Sequence, residues 1–227
     1  IPSKVAKNRS LGEGLAVYER EIRVYSEMTD DLGIPTPEFI YADFDSNPAP
    51  WMETLFVFLF DKLPVPAVSR VLDVLLLLGA KSPRRYLLMM EDIHDARPPS
   101  QVAGGSIEDA LVGLDLLARF HAHNWCNPGR RDPHPIICSI GRLPKVVQAS
   151  YRRNRHAFVD RFGALIGDDV VAKMDEVQMR LPELCSQMER DPWPLCHGDY
   201  RLDNLRFRPD GQIVVLDWQG LAWGRPG

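Results

Sequence analysis

Apolar positions along the chain repeat at two periods. Leu15, Ile22, Tyr25 and Met28, with Tyr18 between them, keep helical spacing and predict a helix over about 15–28. Gly33-Ile34-Pro35-Thr36-Pro37 ends it, because proline disfavours helix at its own position and at the one before. Phe39-Ile40-Tyr41-Ala42 and the run from Leu55 to Phe60 read as strands on either side of a turn over Asp45 to Pro50. The stretch from Val71 to Leu78 fits a strand or a short buried helix equally well, since periodicity alone does not separate the two. Tyr86 to Ile93 reads as a strand. Ser106, followed by Glu108 and Asp109, marks a helix start with an N-cap hydroxyl and acids in the first turn, and apolar residues continue to Phe120 and Trp125. Two further helices are predicted over about 144–162 and 168–189. The first eight residues, IPSKVAKN, are polar and carry no strand pattern.

After the last helix comes a hairpin. Asn204 to Phe207 and Gln212 to Leu216 are short β-prone runs around Arg208-Pro209-Asp210-Gly211, and Asp-Gly between such runs is a strong hairpin signal. A turn centred on Asp210-Gly211 puts Asn204 directly across from Asp217, with Cβ atoms roughly 5 Å apart. Asp199 lies one loop upstream, within reach of the same space. Magnesium is a hard octahedral ion that keeps several waters and takes one or two protein carboxylates plus substrate phosphates. Asp217 and Asn204 supply such oxygens, which leaves Asp199 to orient a hydroxyl and accept its proton, the division of labour used in phosphoryl transfer.

Composition narrows the class. The chain has 227 residues, 45% hydrophobic and 26% charged, as in an ordinary globular protein. A net charge of -4 offers no electrostatic footprint for nucleic acid. The apolar runs at 55–60 and 74–78 are too short to span a bilayer, and no basic region followed by an apolar core opens the sequence. Cys126, Cys138, Cys185 and Cys196 have no paired spacing and read as reduced thiols of a cytoplasmic protein. Gly12-Glu13-Gly14 lacks the third glycine and preceding strand of a phosphate loop. His121 and His123, two apart on a helix, point to different sides and make a poor metal pair with Cys126.

The motif His197-Gly198-Asp199-Tyr200-Arg201-Leu202-Asp203-Asn204, with Val215-Leu216-Asp217-Trp218-Gln219 after it, resembles the aminoglycoside phosphotransferase and choline kinase superfamily. Within it, the chain is most similar to bacterial phosphotransferases akin to ecdysteroid kinases. The resemblance implies an α+β, protein-kinase-like fold of two lobes: residues 1–93 as the remnant of a β-rich N-terminal lobe, and residues 94–227 as a helical lobe with its last helices truncated. It implies Asp199 as catalytic base, Asn204 and Asp217 as metal ligands, and His197 as a structural support of the loop. Tyr18 to Tyr25 resembles the first-lobe helix, whose glutamate, here Glu21, pairs with an ATP-gripping lysine. Leu88 to Ile93 resembles the inter-lobe hinge, where backbone groups of Met90, Glu91, Asp92 and Ile93 meet adenine. Leu117 to Trp125 resembles a second-lobe helix.

The implied cofactors are ATP and Mg2+, and the implied acceptor is a small-molecule alcohol. The lysine is expected just before Ile1, with Lys4 and Lys7 as weaker substitutes, so the chain reads as a fragment of a longer frame. Two rival readings remain. One is a catalytically silent kinase-like remnant or binding module; the other is a metal-dependent hydrolase with His197, Asp199 and Asp217 as ligands.

Overall fold

The computed structural model describes residues 5–46, 55, 58–79, 84–131, 137–139 and 141–226. Its elements are mixed helix and strand. Helix α1, Ala6–Gly14, precedes α2, Val17–Glu27, so the predicted helix starts two residues late and the polar opening holds a helix of its own. Ala16, left-handed at φ 53°, separates the two. Gly12-Glu13-Gly14 is the end of α1, and the buried Glu13 sits between Arg9 at 3.0 Å and Arg84 at 3.2 Å, which pins α1 to the approach of the second strand. On α2 the inward face carries Ile22, Val24 and Tyr25. The outward face is laced by Arg23 with Glu19 and Glu27, each four residues away.

Strand β1, Phe39–Phe44, pairs antiparallel with β2, Tyr86–Met90, as the alternating pattern predicts. Between them the sequence reading needs correction. Residues 55 and 58–62 are helical, whereas Leu55 to Phe60 had the composition of a strand; Phe56 and Val57 lie outside the described residues, as do Asn47 to Pro50 of the predicted turn. Val65–Gly79 forms helix α3, which decides the ambiguous 71–78 run. An unbroken apolar run carries no period, and here the deciding factor is tertiary. Phe60, Val68 and Ala149 make a second small core, with Leu63, Val71, Leu72 and Leu75 packed against it.

Helix α4, Ile107–His123, begins in a full capping box: the Ser106 hydroxyl accepts the Asp109 N–H at 3.0 Å, and the Asp109 carboxylate accepts the Ser106 N–H at 3.4 Å. Helices α5, Pro144–Ile166, and α6, Asp168–Met188, pack on each other. Strands β3, Cys138–Ser139, and β4, Leu195–Cys196, flank β7, Ala222–Trp223, in a three-stranded sheet in which β3 runs parallel to β7 and β4 antiparallel. Strands β5, Leu205–Phe207, and β6, Ile213–Val215, form the hairpin. Among the described residues no helix is long and apolar enough to cross a membrane.

The main core joins these parts. Val24 and Tyr25 of α2, Phe120 of α4, Leu195 of β4, Leu205, Ile213 and Val215 of the hairpin, and Trp218 and Leu221 beyond it form one buried cluster. Phe120 is fully buried and meets Trp218 edge-on at 5.6 Å. Truncating Phe120 to alanine should lower stability by about 3–5 kcal/mol through lost transfer energy and a residual cavity. A fall in the urea midpoint at unchanged slope is the expected readout.

Candidate functional site

Strand β4 delivers His197 into the core. Its ring lies 4.5 Å from Trp218, its Nε2–H donates to the Leu216 carbonyl at 2.9 Å, and its Nδ1 accepts the Asp199 N–H at 3.3 Å. These partners fix one neutral tautomer, and burial lowers the basicity of the ring, outweighing the hydrogen bond to Leu216. His197 therefore ties the loop before β5 to the end of β6, as the sequence motif implies. Neither ring nitrogen is left for a metal, which removes one of the three ligands that a hydrolase site would need.

Gly198 follows at φ 82°. A Cβ there would sit 2.2 Å from the Gly220 carbonyl oxygen, so only glycine lets the two backbones cross. The crossing seats the loop over a 3₁₀ turn, Trp218–Gly220. Another 3₁₀ turn, Leu202–Asn204, then leads into β5.

The hairpin register differs from the sequence expectation. Leu205 faces Val215, Arg206 faces Val214 and Phe207 faces Ile213, so Asn204 lies across from Leu216, whose N–H its main-chain carbonyl accepts at 2.8 Å. The cause is the turn. The Gly211 N–H donates to the Arg208 carbonyl and the Arg208 N–H to Gln212, with Gly211 at φ 85°. This is a three-residue loop with Pro209 leading a type I turn and glycine in the left-handed position. A two-residue Asp-Gly turn would move every pair by one.

Asp217 nevertheless reaches the site, because it leaves β6 in a left-handed conformation at φ 64°. The Asn204 amide donates to the Asp199 carbonyl at 2.8 Å and to its Oδ2 at 3.1 Å. With its side-chain nitrogen so engaged, Asn204 has its side-chain oxygen Oδ1 to offer a cation. Asp217 is half-buried, with Gln219 Nε2 donating to its Oδ2 at 3.3 Å. Burial and then the Asp199 charge push its carboxyl above the ordinary range.

Glu21 joins from α2. Burial first, and then Asp217, push its carboxyl up to about 7. Asp199, Asp217 and Glu21 are thus close enough to repel, a charge pattern that a cation relieves. Among the described residues Arg201 places its Nε 3.2 Å from Asp199 Oδ2. Among the described residues no three His, Cys, Asp or Glu side chains are placed to hold a metal by themselves. The donor set is instead a carboxylate and a carboxamide oxygen, which suits a magnesium ion completed by water and phosphate.

A carboxyl with a folded pKa above its unfolded value binds its proton more tightly in the native state. The stability it contributes at low pH is therefore lost as pH rises from the ordinary carboxylate range through about 7. Glu21→Gln should raise the melting temperature at pH 8 and bring a smaller gain at pH 5. Melting curves of the two proteins across that range check it, and their difference cancels the opposite contribution of His197.

The segment leaving β2 sits at the other end of the hairpin. Met90 pairs with Phe39, and the Glu91 N–H donates to Glu38 at 2.9 Å. The Glu91 carboxylate takes the Arg208 guanidinium, which holds it below the usual carboxylate range. The Asp92 carbonyl lies 3.3 Å from His94 Nδ1, and the Ile93 carbonyl accepts the Ala96 N–H at 3.4 Å. The structure therefore gathers Glu21, Asp199, Asn204 and Asp217 at one end of the hairpin, and Met90 to Ile93 at the other.

Lys4 and the residues before it lie outside the described residues, as does the side chain of Lys7. Arg201, Arg208 and Gln219 also border the site without any role implied by the sequence pattern. Arg201 stood in the motif itself, two places after Asp199; Arg208 had been read only as part of a turn.

A mixed α+β chain with a loop and hairpin that bring carboxylates round a carboxamide has the outline of a phosphate-handling enzyme. It matches the model of the phosphotransferase enzyme family over residues 4–227 and belongs to that family. No curated protein matches the chain significantly.

Proposed function

We propose that the protein is a small-molecule kinase that moves the γ-phosphate of ATP to an alcohol in a Mg2+-dependent reaction. The convergence of Asp199, Asn204 and Asp217 on one space, with the Asn204 amide locked to Asp199, carries this reading. Asp199 orients the acceptor hydroxyl and accepts its proton. Asp217 and the side-chain oxygen of Asn204 would hold Mg2+, and the ion, when bound, would supply charge neutralisation for a loose transition state. Met90 to Ile93 hold the base through backbone groups, and Glu21 pairs with the cation that grips the phosphates.

In this reading residues 1–93 and 94–227 act as two lobes with the site between them. Among the described residues Cys126, Cys185 and Cys196 are free thiols, which suits the reducing cytoplasm. Incubating the protein with Mg-ATP and a panel of alcohols, aminoglycosides, sugars and choline-like compounds tests the proposal. Phosphorylated product that disappears on chelation of Mg2+ is the expected result. Failure of Mg-ATP to bind in calorimetry would overturn it and favour a silent binding module.

A further inference from the structure

The segment after β2 is fastened to the hairpin at two points. At the first, the Arg208 guanidinium just past β5 grips Glu91, whose other carboxylate oxygen accepts the Glu38 N–H at 3.3 Å. Asp95 stands 4.0 Å from the same guanidinium. At the second, Arg97 exchanges two backbone hydrogen bonds with Phe207, at 2.8 and 3.1 Å, and lays its guanidinium over the Phe207 ring at 4.9 Å. Nη2 of Arg97 is held in turn by Asp109, 2.6 Å away at the start of α4.

These anchors bracket residues 92–96 and join them to the strand that carries Asn204 at its opposite end. Strand rise puts Asn204 and Arg208 roughly 13 Å apart. The Phe207 bridge is made by backbone and ring, and fixes only the end of the segment. Its beginning, where Glu91 leaves β2, is hydrogen-bonded to Glu38 beside β1 and reaches the hairpin through the Arg208 guanidinium, by Glu91 and more distantly by Asp95. Arginine suits this position because its planar fork gives direction as well as charge, which an ammonium does not.

We propose that Arg208 is a positioning residue for the nucleotide. Through Glu91 it fixes residues 91–93 relative to the Asp199–Asn204–Asp217 end of the hairpin, and so sets where a base bound at 91–93 places its phosphates. The inference rests on the kinase reading above. Loss of the pair lets the segment shift on β2 before a ligand arrives, and ordering it again draws on binding energy.

The test is a double-mutant cycle with Arg208→Gln and Glu91→Gln, read by calorimetric affinity for Mg-ADP, by ATP and acceptor KM, and by melting temperature. Each single variant should weaken nucleotide binding about 5–10-fold and raise the KM for ATP but not for the acceptor. The double variant should lose no more than either single one. Parent binding with single variants within about twofold of it, or with additive losses, overturns the inference and leaves the kinase reading standing. A parent that binds no nucleotide overturns both. Should Arg208→Gln fail to fold, Arg208→Lys replaces it: weaker binding at an unchanged melting temperature supports the inference, and unchanged affinity refutes it.

Discussion

Replacing Asp199 with asparagine should lower phosphoryl transfer by about 10²–10⁴-fold, the usual worth of a positioned proton acceptor. Affinity for Mg-nucleotide should stay close to the parent value. The substitution keeps the shape of the side chain and the backbone carbonyl that holds the Asn204 amide at 2.8 Å, so the loop has no reason to move. It removes the carboxylate that takes the proton together with its ion pair to Arg201, while the oxygen that remains still accepts the Asn204 amide. Nucleotide affinity falling in step with turnover would show that Asp199 holds metal or phosphate instead. Measuring kcat and nucleotide binding on the same preparation separates the two.

The second large effect is expected at Asp217. Asparagine is the informative replacement, because it keeps a side chain that tolerates the left-handed backbone at φ 64°, where alanine adds about 1–2 kcal/mol of strain. Loss of the carboxylate should lower kcat by at least about 10²–10³-fold, as removal of one preorganised electrostatic partner does. Mg2+ should no longer strengthen nucleotide binding. The melting temperature without ligands should hold or rise, because the substitution removes a half-buried charge and its repulsion from Asp199, which together raise the carboxyl pKa. A drop in both activity and melting temperature would assign Asp217 to the fold and not to the metal.

Much of this could be read in the sequence where the chain's own periodicity or a short motif sets the outcome. The α2 stripe through Ile22 and Tyr25, the Ser106–Asp109 cap and the β1–β2 pairing are local matters, and they appear as predicted. The clustering of Asp199, Asn204 and Asp217 was equally visible, because all three belong to one loop and one hairpin. The register was not, because Pro209 converts an Asp-Gly turn into a three-residue loop, and a single residue shifts every pair. The helix at 58–62 was hidden for another reason: Phe60, its one buried side chain, answers to α3 and α5 and not to the spacing of its neighbours. Arg208 and Glu91 are 117 residues apart, and no local pattern announces such a contact.

The crossing of Gly198 over Gly220 bears on attempts to redirect this enzyme to a new acceptor. With 2.2 Å between a would-be Cβ and a carbonyl oxygen, the route of the chain through both turns is closed to variation. A mutagenesis library gains nothing from randomising position 198, since every allele but the parental one forces the two turns apart. Diversity has to be drawn from side chains that border the space around Asp199, on a backbone that selection cannot reshape there.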